Sequence, residues 1–213
     1  MLYLATFRIT PTFQSAFLDW FSTRHGPQLC GAGFISSHSL EDVDDPCYTV
    51  DANEIPGIET LSDPDYVAVG QAANDPDITA VMAAITDQAN TTYRAVAGTP
   101  GDGVLSPAVG QGAMTLVRIA ADTGREQETT DALRDWATSE LGELGPAAWL
   151  LGQRSGRHPR FTPDARPLLT VIRWPSVEAH SPHREAIRRL RLALGCTEIE
   201  ARLLRSHHAS YRR

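Results

Sequence analysis

Two short stretches carry residues able to move protons on a small molecule. "LDWFSTRHGP" (residues 18–27) ends an amphipathic run with His25, five residues after Trp20. Imidazole titrates near neutrality and passes a proton either way, as enolisation, dehydration or aldol-type cyclisation requires. At a helix C-terminus the dipole would favour its charged form, so His25 could start as an acid; the competing reading is a residue that caps terminal carbonyls. In "CYTVDANE" (47–54) strand alternation puts Cys47, Thr49, Asp51 and Asn53 on one face and Tyr48 and Val50 on the other. Asp51 with Asn53 could orient or pair with His25, or with His38 from "GFISSHSL" (33–40), if that face meets a cavity. Otherwise they are the polar end of an exposed strand, and His38 lies on the surface. His25, Asp51 and His38 are thus the catalytic candidates. Trp20, Tyr48, Asn53, Arg94 and Arg154 are the candidates for holding a substrate, an arginine on or beside a strand being able to grip a carboxylate or phenolate bidentately.

Composition removes several chemistries. All 19 basic residues are arginine, which excludes Schiff-base chemistry, lysine-anchored pyridoxal phosphate and the P-loop lysine. Neither G-x-G-x-x-G nor G-x-S-x-G occurs, which disfavours dinucleotide cofactors and the α/β-hydrolase mechanism. Cys30, Cys47 and Cys196 have no C-x-x-C spacing and fit buried thiols in a reducing compartment. "HSPH" (180–183) and His207-His208 lack ligand spacing, so no metal is expected. The net charge of −7 divides into three Arg against 14 acids over residues 1–110 and 16 Arg against 12 acids over the rest. An acidic chain with one arginine cluster (Arg184, Arg188, Arg189, Arg191) and no interleaved aromatics is not expected to bind nucleic acid. No apolar run approaches the ~18 to 20 residues of a membrane span. With "MLYLATFRIT" reading directly as a strand, we expect a cytoplasmic protein with no membrane partner.

The elements that must position these residues occur twice. "AFLDWFSTRHGPQLCGAGFI" (16–35) lies over "ALRDWATSELGELGPAAWLL" (132–151) at an offset of 116, matching Ala16/Ala132, Asp19/Asp135, Trp20/Trp136 and Gly26/Gly142. The first half reads as a strand at 2–9, then a helix opened by Thr10-Pro11 with Phe13, Ala16, Phe17, Trp20 and Phe21 on one stripe. Strands at 33–40 and 47–55, a helical stretch from about 58 to 92 broken at "DPD" (75–77), and a short strand at 93–96 complete it. The second half reads as a strand at 114–121, a helix at 126–144, strands at 147–155 and 167–174, a helix at 182–194 and a strand at 198–206. Between the two strands of its hairpin runs a long polar loop, "GRHPRFTPDAR" (156–166). We therefore expect an α+β chain of two tandem ferredoxin-like units, each βαββαβ: residues 1–97, a Gly/Pro-rich linker at 98–113, and residues 114–213. Each sheet would carry helices on one face only, so two units burying their bare faces together form a pseudo-dimeric α+β barrel.

"DW" (Asp19, Trp20), "HGP" (His25, Gly26, Pro27), "GF" (Gly33, Phe34), "LSDPDY" (61–66) and "YR" (Tyr93, Arg94) together resemble the EthD-like members of the dimeric α+β barrel superfamily. The resemblance spans most of the first half and, more weakly, the second. It implies a pocket between sheet and helices for a small aromatic or polyketide-like substrate. The superfamily's chemistries include cofactor-independent monooxygenases, cyclases, dehydratases and isomerases, with haem binding in some relatives. The family's basic residue on the second strand falls at His38, while the repeat offset puts Arg154 there in the second half. His25 corresponds to Leu141, so a His-dependent site belongs to the first half alone. We expect a cofactor-independent acid–base cyclase, dehydratase or isomerase of secondary metabolism, a homodimer being possible. The alternatives are a cofactor-free monooxygenase, a haem-binding barrel, or a non-catalytic binding or scaffold protein.

Overall fold

Aromatic and branched residues on both faces of Leu2–Ile9 make β1, which is buried almost throughout. The structure is a computed structural model and describes residues 1–213 apart from 73–75, 101–107, 111, 123, 177, 196–197, 207–210 and 213. The chain packs as two units. The first comprises Met1–Thr92, Ser155–Pro163 and Ser206–Arg213; the second comprises Tyr93–Arg154 and Asp164–Arg205. Of the Gly/Pro-rich segment expected as a linker, 101–107 and 111 lie outside the described residues.

In the first unit Thr10 is extended and Pro11 opens α1 (Pro11–Trp20), where a missing N–H costs nothing. The helix does not stop before Pro27. Phe21–His25 widens into a π-type turn, with the Gly26 N–H reaching back to the Phe21 carbonyl, and α2 (Gly26–Gly31) follows. The turn places donor-less Pro27 in the first turn of α2, which is how the chain passes a proline without breaking. His25 therefore sits between helical segments rather than at a helix C-terminus, and the dipole argument for its charged form is withdrawn. Phe17, Leu18 and Phe21 pack with Phe7, Ile9, Ile78 and Val81, with Phe13 and Trp20 at the edge. Leu18 takes the place expected for Ala16, which is exposed.

Next come β2 (Ser36–Asp42) and β3 (Tyr48–Glu54), both wholly buried. After a 3₁₀ turn at Ile58–Ser62 come α3 (Pro64–Ala72), α4 (Pro76–Ala83) and β4 (Ile85–Gly98). The expected helix to residue 92 is corrected here. "ITDQANTT" is strand, because pairing and the burial of Asn90, Thr91 and Thr92 outweigh the helix preference of the preceding alanines. The strand order β2-β3-β1-β4 is that of a ferredoxin-like unit, with β3 antiparallel to both β1 and β2. A two-residue strand, β5 (Tyr211–Arg212), adds to Ser36 and Ser37 of β2.

The second unit repeats this order with β6 (Ala113–Ile119), α5 (Glu126–Ser139), a 3₁₀ turn at Leu141–Leu144, β7 (Ala148–Arg154), β8 (Leu168–Trp174), α6 (His180–Leu194) and β9 (Ile199–Ser206). The sheet order is β7-β8-β6-β9, and the end of β4 from Tyr93 to Gly98 pairs with β7. Gly145, at φ 66°, closes the helical stretch in the left-handed region that a glycine enters freely. Arg118 of β6 is buried between Asp164 (2.7 Å) and Glu200 (2.8 Å), so its charge is compensated on both sides. Trp136 is fully packed, whereas Trp20 at the matching position of the first unit stays partly open. Among the described residues no helix is long and apolar enough to cross a membrane.

Candidate functional site

The first unit holds a partly open cavity of about 140 Å³ between its sheet and its helices. Strand register builds its floor. Tyr3 pairs with Asn53 and Ala5 with Asp51, so the alternate residues Tyr3, Ala5 and Phe7 of β1 share a face with Asp51 and Asn53 of β3. Gln88 and Asn90 of β4 extend this floor, and Phe17, Trp20, His25, Tyr66 and Met82 cover it from the helical side. Arg160 and Phe161 close one side. They come from the polar loop of the second repeat, whose residues Ser155–Pro163 pack into the first unit. Most of the lining is aromatic or aliphatic, with a few polar groups converging on it, as small-molecule sites are built.

Asp51 is buried and its Oδ1 has no hydrogen-bond partner. Burial pushes its carboxyl up from 3.8 to about 7, and the facing Ser39 hydroxyl of β2 pulls less strongly the other way. The His25 ring stacks on Trp20 (centroids 4.3 Å apart, planes at 16°) and meets Phe21 edge-on at 5.8 Å. Its Nδ1 is enclosed and unpartnered, and desolvation lowers its pKa from 6.5 to about 4. The imidazole is therefore neutral at physiological pH, which replaces the expectation of a charged acid. Asn53 is held in place: its Oδ1 accepts from Ser37 Oγ at 2.5 Å and its Nδ2 donates to the Asp51 carbonyl at 3.3 Å.

A second polar group spans the loop side. Asn90 Nδ2 donates to Tyr3 Oη, Tyr3 Oη lies 3.3 Å from Tyr66 Oη, and Tyr66 Oη lies 3.1 Å from His158 Nε2. His158 also stacks on Tyr3, with ring centroids 5.6 Å apart. The Arg160 guanidinium lies over the Tyr66 ring at 5.6 Å and over Phe161 at 5.8 Å. Gly70 makes room for it, because a Cβ there would stand 2.7 Å from an Arg160 nitrogen.

Of the residues singled out in the sequence, Trp20, His25, Asp51 and Asn53 line this one cavity. The others are placed elsewhere. His38 pairs with Ala52 and therefore points to the opposite face of the sheet from Asp51; it is buried rather than on the surface. Tyr48 alternates to that same opposite face. Arg94 is exposed on the second unit's stretch of β4, and Arg154 is exposed with its guanidinium on the Asp164 carbonyl at 2.8 Å. Sequence reasoning passed over Tyr3, Tyr66, Asn90, His158, Arg160 and Phe161. The alternation of Tyr3 with Ala5 and Phe7 along one strand was one available signal. A loop carrying a histidine, a phenylalanine and arginines between two regular strands was another.

No family model and no curated protein matches the sequence. Solved structures do resemble the chain. An anthrone oxidase-like protein aligns over 99% of this chain and 92% of its own, with a TM-score of 0.65 and 14% identity. A haem-binding protein from Thermus thermophilus covers 97% of this chain and 91% of its own at TM-score 0.60 and 12% identity. A candidate monooxygenase from Lactobacillus acidophilus covers 96% and 92% at TM-score 0.58 and 12% identity. At these identities the likeness shows the fold alone, an α+β chain of two tandem ferredoxin-like units.

Proposed function

We propose that the first unit is a cofactor-independent acid–base enzyme that moves a proton on one small, flat, largely apolar ring compound, as a cyclase, dehydratase or isomerase. The observation that carries this reading is the convergence of Asp51 and His25, each with an unpartnered buried polar atom, on one aromatic-lined cavity. Near pH 7 the Asp51 carboxyl is divided between its two protonation states, so it can accept a proton from a C–H next to a carbonyl and return one at another carbon. The neutral His25 is free to accept or hand on a hydrogen bond beside it, and its stacking on Trp20 fixes the plane of the imidazole. The cavity is about the size that admits a single benzene-like ring. Membership of the EthD-like branch belongs to this reading; it is supported by the motifs His25-Gly26-Pro27 and "LSDPDY", of which His25 and Tyr66 line the cavity.

A second reading follows from the structures similar to this chain, an anthrone oxidase-like protein and a candidate monooxygenase. The same proton removal would leave a carbanion that reacts with dioxygen, turning a ring CH₂ into a ketone and releasing one water. Haem does not fit the cavity in this form. His25 is the only histidine among its lining residues, and about 140 Å³ has no room for a tetrapyrrole. Cyclohex-3-enone separates the readings, since its conversion to cyclohex-2-enone removes a proton at C2 and adds one at C4 without consuming oxygen. Isomerisation faster than in buffer, lost in Asp51→Asn, supports the proton-transfer reading. Oxygen uptake with a one-ring activated CH₂ compound, without isomerisation, would favour the oxygenase.

A further inference from the structure

The backbone fixes one end of the polar chain on the loop side. His158 Nδ1 accepts from two backbone N–H groups, those of Arg160 (3.0 Å) and Phe161 (3.2 Å). A ring nitrogen that accepts carries no proton, so the proton of the neutral imidazole is on Nε2. Burial, aided by the Arg160 charge, keeps this imidazole neutral, with its pKa lowered to about 4. Nε2–H therefore donates to Tyr66 Oη; the Tyr66–Tyr3 contact allows either hydroxyl to donate, and in the direction that continues this chain the Tyr66 hydroxyl donates to Tyr3 Oη. Tyr3 Oη also accepts from Asn90 Nδ2, which occupies its second lone pair. The Tyr3 proton is then left as a donor on a residue that lines the cavity. Burial holds this phenol well above its usual range, so it remains a donor and not a phenolate. Asn90 also lines the cavity, is 2% exposed, and keeps Oδ1 buried without a partner. One wall thus offers an unused donor and an unused acceptor side by side.

We infer that Tyr3 Oη–H and Asn90 Oδ1 form a paired site for a ring hydroxyl, the oxygen accepting from Tyr3 and its proton going to Asn90, so that the cavity selects phenols and enols. Tyr66 and His158 act on the hydroxyl through Tyr3, because their hydrogen bonds occupy its oxygen and leave its proton to the ligand. The inference rests on the reading of the cavity as a small-molecule site and names the ligand class it takes. An enol is also the neutral form of the intermediate that proton removal next to a ketone creates.

Paired probes test it. 4-Fluorophenol and 4-fluorotoluene have nearly the same shape and differ in the hydroxyl, and ¹⁹F NMR titration reads both affinities on the full chain. The wild type should bind the phenol about five- to thirtyfold more tightly, the worth of one to two net hydrogen bonds. Tyr3→Phe should erase this preference and leave the fluorotoluene affinity as it was, which also shows that the cavity is intact. Tyr66→Phe should reduce the preference by a smaller factor, again at constant fluorotoluene affinity; a merely structural role would weaken both probes together. Equal affinity of the two probes in the wild type, or a preference that survives Tyr3→Phe, overturns the hydroxyl site while leaving the cavity as a binding site. Failure of both probes to bind overturns the cavity reading and this inference with it.

Discussion

Replacing Asp51 by Asn removes a titrating group at constant shape, and the pH dependence of the effect is calculable. Burial raises the folded carboxyl from 3.8 to about 7, so between these values the folded state holds more protons than the unfolded state. Stability therefore falls as pH rises through that window, because the native state must either keep the proton or bury a bare carboxylate. A shift of about three units at about 1.4 kcal/mol each gives an upper bound of about 4 kcal/mol lost between pH 4 and pH 8. Relaxation around the carboxylate reduces this, and half of it would still be decisive. Asn carries no such dependence. Asp51→Asn should match the wild type near pH 4.5 and exceed its unfolding free energy by about 2 to 4 kcal/mol near pH 8. Urea unfolding of both proteins at the two pH values provides the measurement, and the other titrating groups cancel in the difference. A gap that stays constant with pH would refute the buried, partner-poor carboxyl on which the proposed chemistry depends.

Other perturbations give separate expectations. The His25 imidazole should remain neutral down to about pH 5, and its NMR resonances should start to move only near pH 4; a midpoint near 6.5 would mean the ring is solvated. Because its folded pKa is depressed, stability tied to His25 is present above pH 6.5 and is lost as pH falls toward 4. His25→Ala should leave the circular dichroism spectrum native and cut the rate on cyclohex-3-enone by about 100-fold or more, and near-wild-type turnover would remove the residue from the mechanism. Arg118→Met removes the most buried cation of a network in which Asp164 keeps Arg166 and Glu200 keeps Arg166 and Arg202, and should cost about 1.5 to 3 kcal/mol in denaturant unfolding, with a loss below about 0.5 kcal/mol counting against a buried network.

What could be read from the sequence was what local patterning determines. The largely apolar run of β1, the Thr10-Pro11 helix start and the alternation of Asp51 with Asn53 depend on near neighbours, and each falls where the pattern puts it. The same alternation, carried through the β2–β3 register, sends His38 away from Asp51; the relative phase of two strands is set by pairing and is not printed in either strand alone. Residues 85–92 follow an alanine-rich helical run with no Gly or Pro to mark its end, and their place beside β1 makes them strand, which hid Asn90 from the site. The π-type turn arises from the spacing between Phe21 and Pro27, where the chain keeps its helical course by shifting one hydrogen bond to the residue five back. Arg160 and Phe161 reach the cavity from the second repeat, and His158 of the same loop meets Tyr66, 92 residues away, a contact no local pattern encodes. Duplication drew attention to the histidine absent from the second half, whereas that half's contribution to the site is a loop.

The pH profile of kcat/KM for cyclohex-3-enone isomerisation tests the central claim most directly. If Asp51 is the base in this cavity, activity rises through an apparent pKa of about 7 and Asp51→Asn lacks it across the range. A profile flat from about pH 5 to 9, or one unchanged by Asp51→Asn, would contradict the account.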